Sequence, residues 1–322
     1  MTVQAVLRPA MALGGIAETA CAPLVARALA ADVAPDLGFR DRAAETIYRS
    51  IQPELEPHRA AKPVMLAMIA TTWVIDQLVG SFTSRHPHAQ IVDLGAGLST
   101  RFQRIDNGML TWIDVDLPEI VSLRETLFPF CDRRHVIGAD IGGPGWIDRL
   151  ELRRAPTLVV AEGLFAYASA ETMTAVLADL AAVTGPQTEL LYDFTSRLIA
   201  KRLSPRATSA DTPTRRGIRR QKELTREGWQ LMSIHPVYEA MGLPYSAIGL
   251  VLRRLTRLCP HGVAHLVCTA APVVEREAEA ATASTPPAPP TREAADTRAA
   301  PRPAATRPPA APPPTARQQL PK

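Results

Sequence analysis

A short glycine turn after an apolar run constrains this chain more than any other feature. Residues 91–102 read Ile-Val-Asp-Leu-Gly-Ala-Gly-Leu-Ser-Thr-Arg-Phe. The residues up to Leu94 predict a strand, and Gly95 and Gly97 predict a sharp turn that leaves no side chain between the backbone and a ligand. Thr100 stands where the Gly-x-Gly-x-x-Gly pattern of dinucleotide-binding proteins has its third glycine, so the motif disfavours pyrophosphate binding.

Short apolar runs alternate with helical segments from residue 90 onward. Strands are predicted near 90–94, 110–115, 135–139, 157–162 and 187–193, with helices near 118–128, 145–151 and 169–184. This rhythm predicts an α/β fold, a doubly wound and mostly parallel sheet between two layers of helices. In such sheets a ligand lies outside the carboxyl ends of the strands.

Acidic residues stand at the ends of all five predicted strands. They are Asp93, Asp114, Asp116, Asp140, Glu162 and Asp193. Asp116 follows Gly95 by 21 residues, the spacing at which a carboxylate accepts hydrogen bonds from ribose hydroxyls. An acidic pocket without a phosphate-binding turn suits a nucleoside with a cationic end, which is S-adenosyl-L-methionine. A single acid can instead cap a helix, as Asp116 could before Pro118 and Ser169 could for the next helix.

The remaining segments complete the predicted organisation. We predict an N-terminal helical lid over 1–85, a cofactor-binding α/β core over 86–195, cap helices and a closing strand over 196–272, and a disordered tail rich in Pro and Ala over 273–322. Within the third part, 224–241 and 246–258 are predicted to be helical and 263–269 to be a strand. The basic stretch 197–222 could be a lid for an anionic substrate or a solvated loop.

Composition limits the classes of partner. The net charge is only +4 and the Arg residues share no periodic face, so nucleic-acid binding is not indicated. The four cysteines lie far apart without a Cys-x-x-Cys pattern, which favours a reducing compartment, and we predict the cytoplasm. No apolar run is expected to reach transmembrane length, so no membrane partner is predicted. The oligomeric state cannot be read from the sequence.

The segment Cys259–Cys268 holds two cysteines and two histidines. On a strand His261 and His265 lie well apart, whereas zinc ligands usually come in close pairs. Metal binding is therefore disfavoured, and no metal site is predicted.

Several motifs together resemble the leucine carboxyl methyltransferase family, in the branch of bacterial polyketide O-methyltransferases of the tetracenomycin type. They are Gly15–Ala20, Ala26–Leu29, Val92–Phe102, Arg104–Gly108, Trp112–Pro118, Trp146 and Ala161–Tyr167. The resemblance runs from about Gly15 to Asp193. It implies a class I methyltransferase fold, which is Rossmann-like, and S-adenosyl-L-methionine as the cofactor.

The resemblance also implies roles for individual residues. The predicted cofactor-binding residues are Asp93, Gly95, Ala96, Gly97, Arg101, Asp116, Leu117, Asp140, Ile141, Glu162 and Gly163. The two glycines would approach the methionine part, Asp116 the ribose and Glu162 the amino group, while Asp140 and Ile141 would flank the adenine. Tyr167 would border the substrate as the catalytic residue, although such a ring is often simply half-buried.

One position departs from the family pattern. The family's Arg that holds the cofactor carboxylate would be Thr71 here, five residues before Asp76. Another cation, Lys62 or Arg101, would have to replace that charge-assisted contact.

The predicted reaction is O-methylation of a small, secondary-metabolite-like acid. A carboxylate, with a reference pKa of about 4.3, is already ionised and needs no general base, whereas a phenol at about 10 needs one. The sequence shows no evident catalytic histidine, which favours the carboxylate. Two alternatives stay open: a weakened family member that acts as a binding or regulatory protein, suggested by Thr71, and an NAD-dependent oxidoreductase, disfavoured by Thr100.

Overall fold

The computed structural model describes residues 15–186, 188–203 and 216–270. All of them belong to one compact unit, Met1–Ala280. The predicted tail over 273–322 and residues 204–215 of the basic stretch 197–222 lie outside the described residues.

A seven-stranded sheet forms the centre of the described chain, in the order β3-β2-β1-β4-β5-β7-β6. The strands are β1 (Gln90–Leu94), β2 (Thr111–Asp116), β3 (Arg134–Gly138), β4 (Thr157–Ala161), β5 (Thr188–Thr195), β6 (Trp229–Pro236) and β7 (His261–Cys268). The first five strands run parallel, and β7 is antiparallel to both β5 and β6. The predicted α/β, mostly parallel sheet is confirmed.

Every residue of β1 and β4 is buried, as expected of strands covered on both faces. The helices are α1 (Gly15–Ala28), α2 (Ala30–Val33), α3 (Arg42–Ser50), α4 (Gln52–Leu55), α5 (Lys62–Arg85), α6 (Arg101–Ile105), α7 (Pro118–Leu127), α8 (Ala170–Val183), α9 (Arg197–Leu203), α10 (Val237–Ala240) and α11 (Tyr245–Thr256). The Ser169 hydroxyl accepts a 3.0 Å hydrogen bond from the Thr172 N–H and caps α8, as predicted.

Helix α5 covers one face of the sheet. Ile75, Val79 and Phe82 are buried in one cluster with Ile91 of β1 and Val160 of β4. At 24 residues α5 is long and apolar enough to cross a membrane by length and composition, so the expectation that no segment reaches that length was wrong. Half of its most apolar window is buried inside the fold, which is the pattern of a core helix.

Two predicted helices differ from the structure. The segment 224–241 is mainly strand β6, followed by the short α10, because it pairs with β7 as an edge strand. Only Ile147–Arg149, a single 3-10 turn, is helical in 145–151. The predicted helix at 246–258 and the strand at 263–269 correspond to α11 and β7.

Candidate functional site

A cavity of about 310 Å³ opens at the carboxyl edge of the parallel strands. All the residues predicted to bind the cofactor line it, and so does Tyr167. The predicted residues on its wall are Asp93, Gly95, Ala96, Gly97, Arg101, Asp116, Leu117, Asp140, Ile141, Glu162, Gly163 and Tyr167. Thus the topology brings together residues that are far apart in sequence.

The glycine turn forms the floor of the cavity. Gly95 and Gly97 have φ angles of 63° and 48°, a left-handed conformation that favours glycine. A Cβ added to Gly95 would lie 2.8 Å from Cδ1 of Leu164. A side chain at this position would therefore both strain the turn and collide with the opposite wall.

Asp116 ends β2 and faces this turn. Its carboxylate accepts hydrogen bonds from the N–H of Gly97 at 2.6 Å and from that of Leu117 at 2.7 Å. Burial raises the pKa of Asp116, and the two backbone donors oppose that shift. Asp116 does not cap the following helix, since Leu117 occupies the cap position without a side-chain bond.

Arg101 holds three carboxylates below the turn. Its guanidinium donates to Asp76 at 2.8 Å, to Asp93 at 3.3 Å and to Glu162. The side chain is 1% exposed, and the three acids keep its pKa above the usual value. Burial raises the pKa of Asp93 to about 6 despite the contact with Arg101.

A second arginine, which is only partly buried, extends this network toward the N-terminal helices. Arg104 donates to Asp76 at 2.7 Å, to Asp41 at 2.5 Å and to the hydroxyl of Thr100 at 2.7 Å. Thr100 in turn donates to Asp41, which caps α3 by accepting from Ala44. The residue at the third glycine position therefore anchors the N-terminal helices to the core.

Arg27 is the cation that the sequence analysis missed as a site residue. Its side chain lines the cavity and is 5% exposed. Nη2 donates to the carbonyl of Leu98 at 2.7 Å, whereas Nε lies 3.2 Å from Asp41 but makes no aligned hydrogen bond. Lys62 is exposed and does not line the cavity, and Arg101 is paired with three acids. Neither therefore replaces the family's Arg at position 71. The one sequence feature that pointed to Arg27 was its place in the motif Ala26–Leu29.

Glu162 directly follows β4, Asp193 lies within the last three residues of β5, and the fold supplies hydrogen-bond donors to both. Glu162 accepts from Thr72 at 2.6 Å and from Arg101. Asp193 accepts from the N–H of Gly163 at 2.5 Å, which fixes the loop after β4. Asp114, at another predicted strand end, is instead a buried partner of Arg124 at 2.5 Å and has no place on the cavity wall.

The far side of the cavity is more open. Asp140 is exposed and accepts from the N–H of Gly142 at 2.8 Å. Ile141 and the half-buried ring of Tyr167 complete this part of the wall. The structure thus places Tyr167 at the cavity, while its catalytic role stays a prediction.

His261 and Thr71 also line the cavity, and neither was predicted to bind anything. Nε2 of His261 lies 3.1 Å from Oγ1 of Thr71. The neighbouring residues of the Cys259–Cys268 segment point elsewhere: His265 bonds Glu189 at 2.7 Å, and Cys268 contacts the carbonyl of Ala270. Among the described residues no group of three or more potential metal ligands occurs.

Comparisons with known proteins agree with this arrangement. The family model of leucine carboxyl methyltransferase matches residues 12–181, just over half of the chain. The tetracenomycin polyketide synthesis O-methyltransferase TcmP of Streptomyces glaucescens is 38% identical over 157 residues, which are 48% of this chain and 57% of that relative. The matched region therefore spans little more than half the length of the curated relative.

A solved structure shares the fold. A candidate methyltransferase from Thermobifida fusca YX aligns with a TM-score of 0.50 and 16% identity, over 76% of this chain and 95% of that chain. A DUF574 family protein from Streptomyces avermitilis gives a TM-score of 0.49 and 18% identity, over 76% and 97% of the two chains. The fold is the Rossmann-like α/β fold of class I methyltransferases, and the chain belongs to the leucine carboxyl methyltransferase family.

Proposed function

We propose that this chain is an S-adenosyl-L-methionine-dependent O-methyltransferase that methylates the carboxylate of a small acid. The observation that carries the proposal is the charge of the cavity wall at the glycine turn. Among the described residues that line it are five carboxylates and two guanidinium groups. The carboxylates are Asp93, Asp116, Asp140, Glu162 and Asp193, and the cations are Arg27 and Arg101.

The wall fits the cofactor at three points. Asp116 stands beside the turn, where a carboxylate can accept from ribose hydroxyls. Glu162, which faces the cavity, can accept from an ammonium group. Arg27 is a buried cation on the cavity wall, and its guanidinium suits the carboxylate at the same end of the cofactor. The absence of a third glycine at Thr100, and a helix α6 of only five residues behind the turn, give little support to a pyrophosphate ligand.

The residues of the chain would act mainly by binding and alignment. When bound, the cofactor supplies a methyl group that is already activated by a sulfonium. The glycine turn, Asp116 and Arg27 would fix its position, while the cavity wall excludes water from the reacting atoms. An acceptor carboxylate is ionised at neutral pH, so no side chain has to remove a proton. The proposed acceptor class is a small acid of the secondary-metabolite kind, and a cytoplasmic location stays a prediction.

Isothermal titration calorimetry with S-adenosylmethionine, S-adenosylhomocysteine and NAD tests the proposal. We expect the first two ligands to bind and NAD not to bind. A chain that binds NAD alone would be the oxidoreductase of the alternative hypothesis. A chain that binds S-adenosylmethionine but transfers its methyl group to no acid would support the regulatory alternative.

A further inference from the structure

The ion pairs below the glycine turn join into one network whose charges do not balance. Among the described residues this network holds four carboxylates and three guanidinium groups. They belong to Asp41, Asp76, Asp93, Glu162, Arg27, Arg101 and Arg104. Arginine does not lose its proton in proteins. With every acid ionised, the network therefore carries one negative charge in excess.

Asp93 is the acid in this network whose charge is least compensated. It accepts from Arg101 at 3.3 Å, the longest contact that this guanidinium makes with an acid of the network. Asp76, by contrast, accepts from Arg101 at 2.8 Å and from Arg104 at 2.7 Å. Asp93 is 2% exposed and lines the cavity. Burial with so little pairing disfavours the ionised form, which raises the pKa of Asp93 to about 6.

Charged groups on several elements act on Asp93. Guanidinium groups on α6 and α7 favour its ionised form, and acids on β2 and after β4 oppose it. They are Arg101, Arg124, Asp114 and Glu162. The other titratable or charged groups that line the cavity, among the described residues, are Arg27, Asp116, Asp140, Tyr167, Asp193 and His261. Asp116 differs from Asp93, because two backbone N–H groups donate to its carboxylate and support its charge. We therefore expect Asp93 to respond more than Asp116 to a charge placed in the cavity.

The cofactor and its product differ by one charge, which lies at the sulfur. S-adenosylmethionine has a sulfonium, an ammonium and a carboxylate, and so a net positive charge. S-adenosylhomocysteine has the same ammonium and carboxylate but a neutral thioether, and so no net charge. A cation inside the cavity favours the ionised form of Asp93 and offsets the excess charge of the network. The product has no net charge with which to offset it.

We propose that Asp93 is a specificity-determining residue through which the cavity distinguishes the sulfonium cofactor from its thioether product. Below about pH 6 the empty cavity holds a proton on Asp93. Binding of S-adenosylmethionine releases this proton to the solvent, whereas binding of S-adenosylhomocysteine leaves it largely in place. The preference for the cofactor therefore increases as pH rises, and the product loses that advantage after methyl transfer, which favours its release. This inference rests on the proposed function and concerns the selectivity of the same site.

The ratio of two dissociation constants measures this preference. Calorimetry on the full chain gives the constants for S-adenosylhomocysteine and S-adenosylmethionine between about pH 5 and 7. The α-carboxyl and α-amino groups of the ligands have reference pKa values of about 3.5 and 8, so neither titrates in this range. We expect the first constant divided by the second to rise by roughly five- to tenfold over the range. Linkage gives this factor for a pKa of about 6 that falls below about 5 on binding.

The number of protons released on binding is a second, independent measure. It follows from the binding enthalpies at about pH 6 in two buffers with different ionisation enthalpies. We expect about half a proton for S-adenosylmethionine, since Asp93 is half ionised near its pKa, and close to none for S-adenosylhomocysteine. This measurement does not depend on the absolute affinities.

Three variants assign the proton to a residue. Asp93→Asn keeps nearly the same shape but does not titrate, so the ratio should stay constant with pH and the proton release should vanish. His261→Gln removes the histidine of the cavity wall, whose residue type also titrates near pH 6, and the ratio should still rise. Asp132→Asn, at an exposed acid outside the cavity, is the matched control and should behave like the wild type. If Asp93→Asn does not fold, Asp93→Ser, which is also neutral, replaces it.

Several results would overturn the assignment. A rise of the ratio that persists in Asp93→Asn would exclude Asp93 as its source, and loss of the rise in His261→Gln alone would move the proton to that histidine. Binding of both ligands at a constant ratio and without proton release would overturn this inference and leave the proposed function standing. Failure of both ligands to bind at any pH would overturn the proposed function, and this inference with it.

Discussion

The carboxylate of Asp116 accepts a 2.6 Å hydrogen bond from the backbone N–H of Gly97. This bond joins the end of β2 to the glycine turn after β1, two neighbouring strands of the sheet. The same carboxylate also accepts from Leu117, so both oxygens are held in place at the cavity wall. An acid held in this way is preorganised to accept from a ligand hydroxyl, so its removal should weaken ligand binding.

We expect Asp116→Ala to weaken binding of both S-adenosylhomocysteine and methylthioadenosine by at least about tenfold, because both ligands carry the ribose. Calorimetry measures the two dissociation constants. Glu119→Ala, on the exposed first turn of α7, is the control and should leave them unchanged. Unchanged affinity in the Asp116 variant would show that the ribose assignment is wrong.

Arg27→Met should lower the affinity for S-adenosylhomocysteine by roughly tenfold or more but leave the affinity for methylthioadenosine unchanged, since only the first ligand has the carboxylate. The ratio of the two affinities is the measurement, and it cancels any general effect on the cavity. Arg40→Met, an exposed arginine, serves as the control. Equal weakening of both ligands would mean that Arg27 is structural.

Arg101→Met should destabilise the fold strongly, by about 3–5 kcal/mol, because it leaves Asp76, Asp93 and Glu162 without their shared partner. Urea unfolding followed by circular dichroism gives the free energy of unfolding. Arg85→Met removes an exposed pair with Glu189 and should cost less than about 1 kcal/mol. A similar cost for both variants would contradict the central place of Arg101.

Asp93→Asn should change the pH dependence of stability. The pKa of Asp93 is raised to about 6 in the folded chain from 3.8, so the folded state binds the proton more tightly than the unfolded state does. The wild type therefore loses stability at this site as pH rises from about 3 to 7, by roughly 3 kcal/mol, and the variant does not. Urea unfolding of both proteins at several pH values gives the difference in their unfolding free energies. We expect the unfolding free energy of the variant minus that of the wild type to increase as pH rises. A decrease with rising pH would contradict the raised pKa of Asp93 in the folded chain.

Two glycines in helices should respond in opposite ways to alanine. A Cβ on Gly249 of α11 would lie 2.2 Å from Cδ2 of Tyr238, so Gly249→Ala should cost about 1–3 kcal/mol through overpacking. Gly80 of α5 has no atom within 4 Å of an added Cβ, and Gly80→Ala should stabilise by up to about 1 kcal/mol. Thermal unfolding measures both changes, and a gain from Gly249→Ala would contradict the close packing of α11 on α10.

Local sequence patterns were sufficient to predict the parallel strands of the sheet. Strands β1, β2, β4 and β5 are mostly buried and read as apolar runs, and the glycine turn and the acids at the ends of those runs identified the cavity wall. The edge strand β6 was mistaken for a helix because its residues are only partly buried and its partner, β7, follows it by more than 20 residues. No local signal separates Asp114, a buried partner of Arg124, from Asp116, two residues away on the cavity wall.

The sequence by itself determined the class of fold, the glycine turn and the acids that gather at one edge of the sheet, because these depend on short-range periodicity and on the spacing of neighbouring residues. Only the tertiary structure decided which cations reach the cavity and which histidine lies in it. Arg27 and His261 are separated by more than 230 residues and come from the first helix and the last strand of the described chain. Their positions follow from the packing of α1 over the turn and from the antiparallel insertion of β7, and neither is encoded in a local pattern.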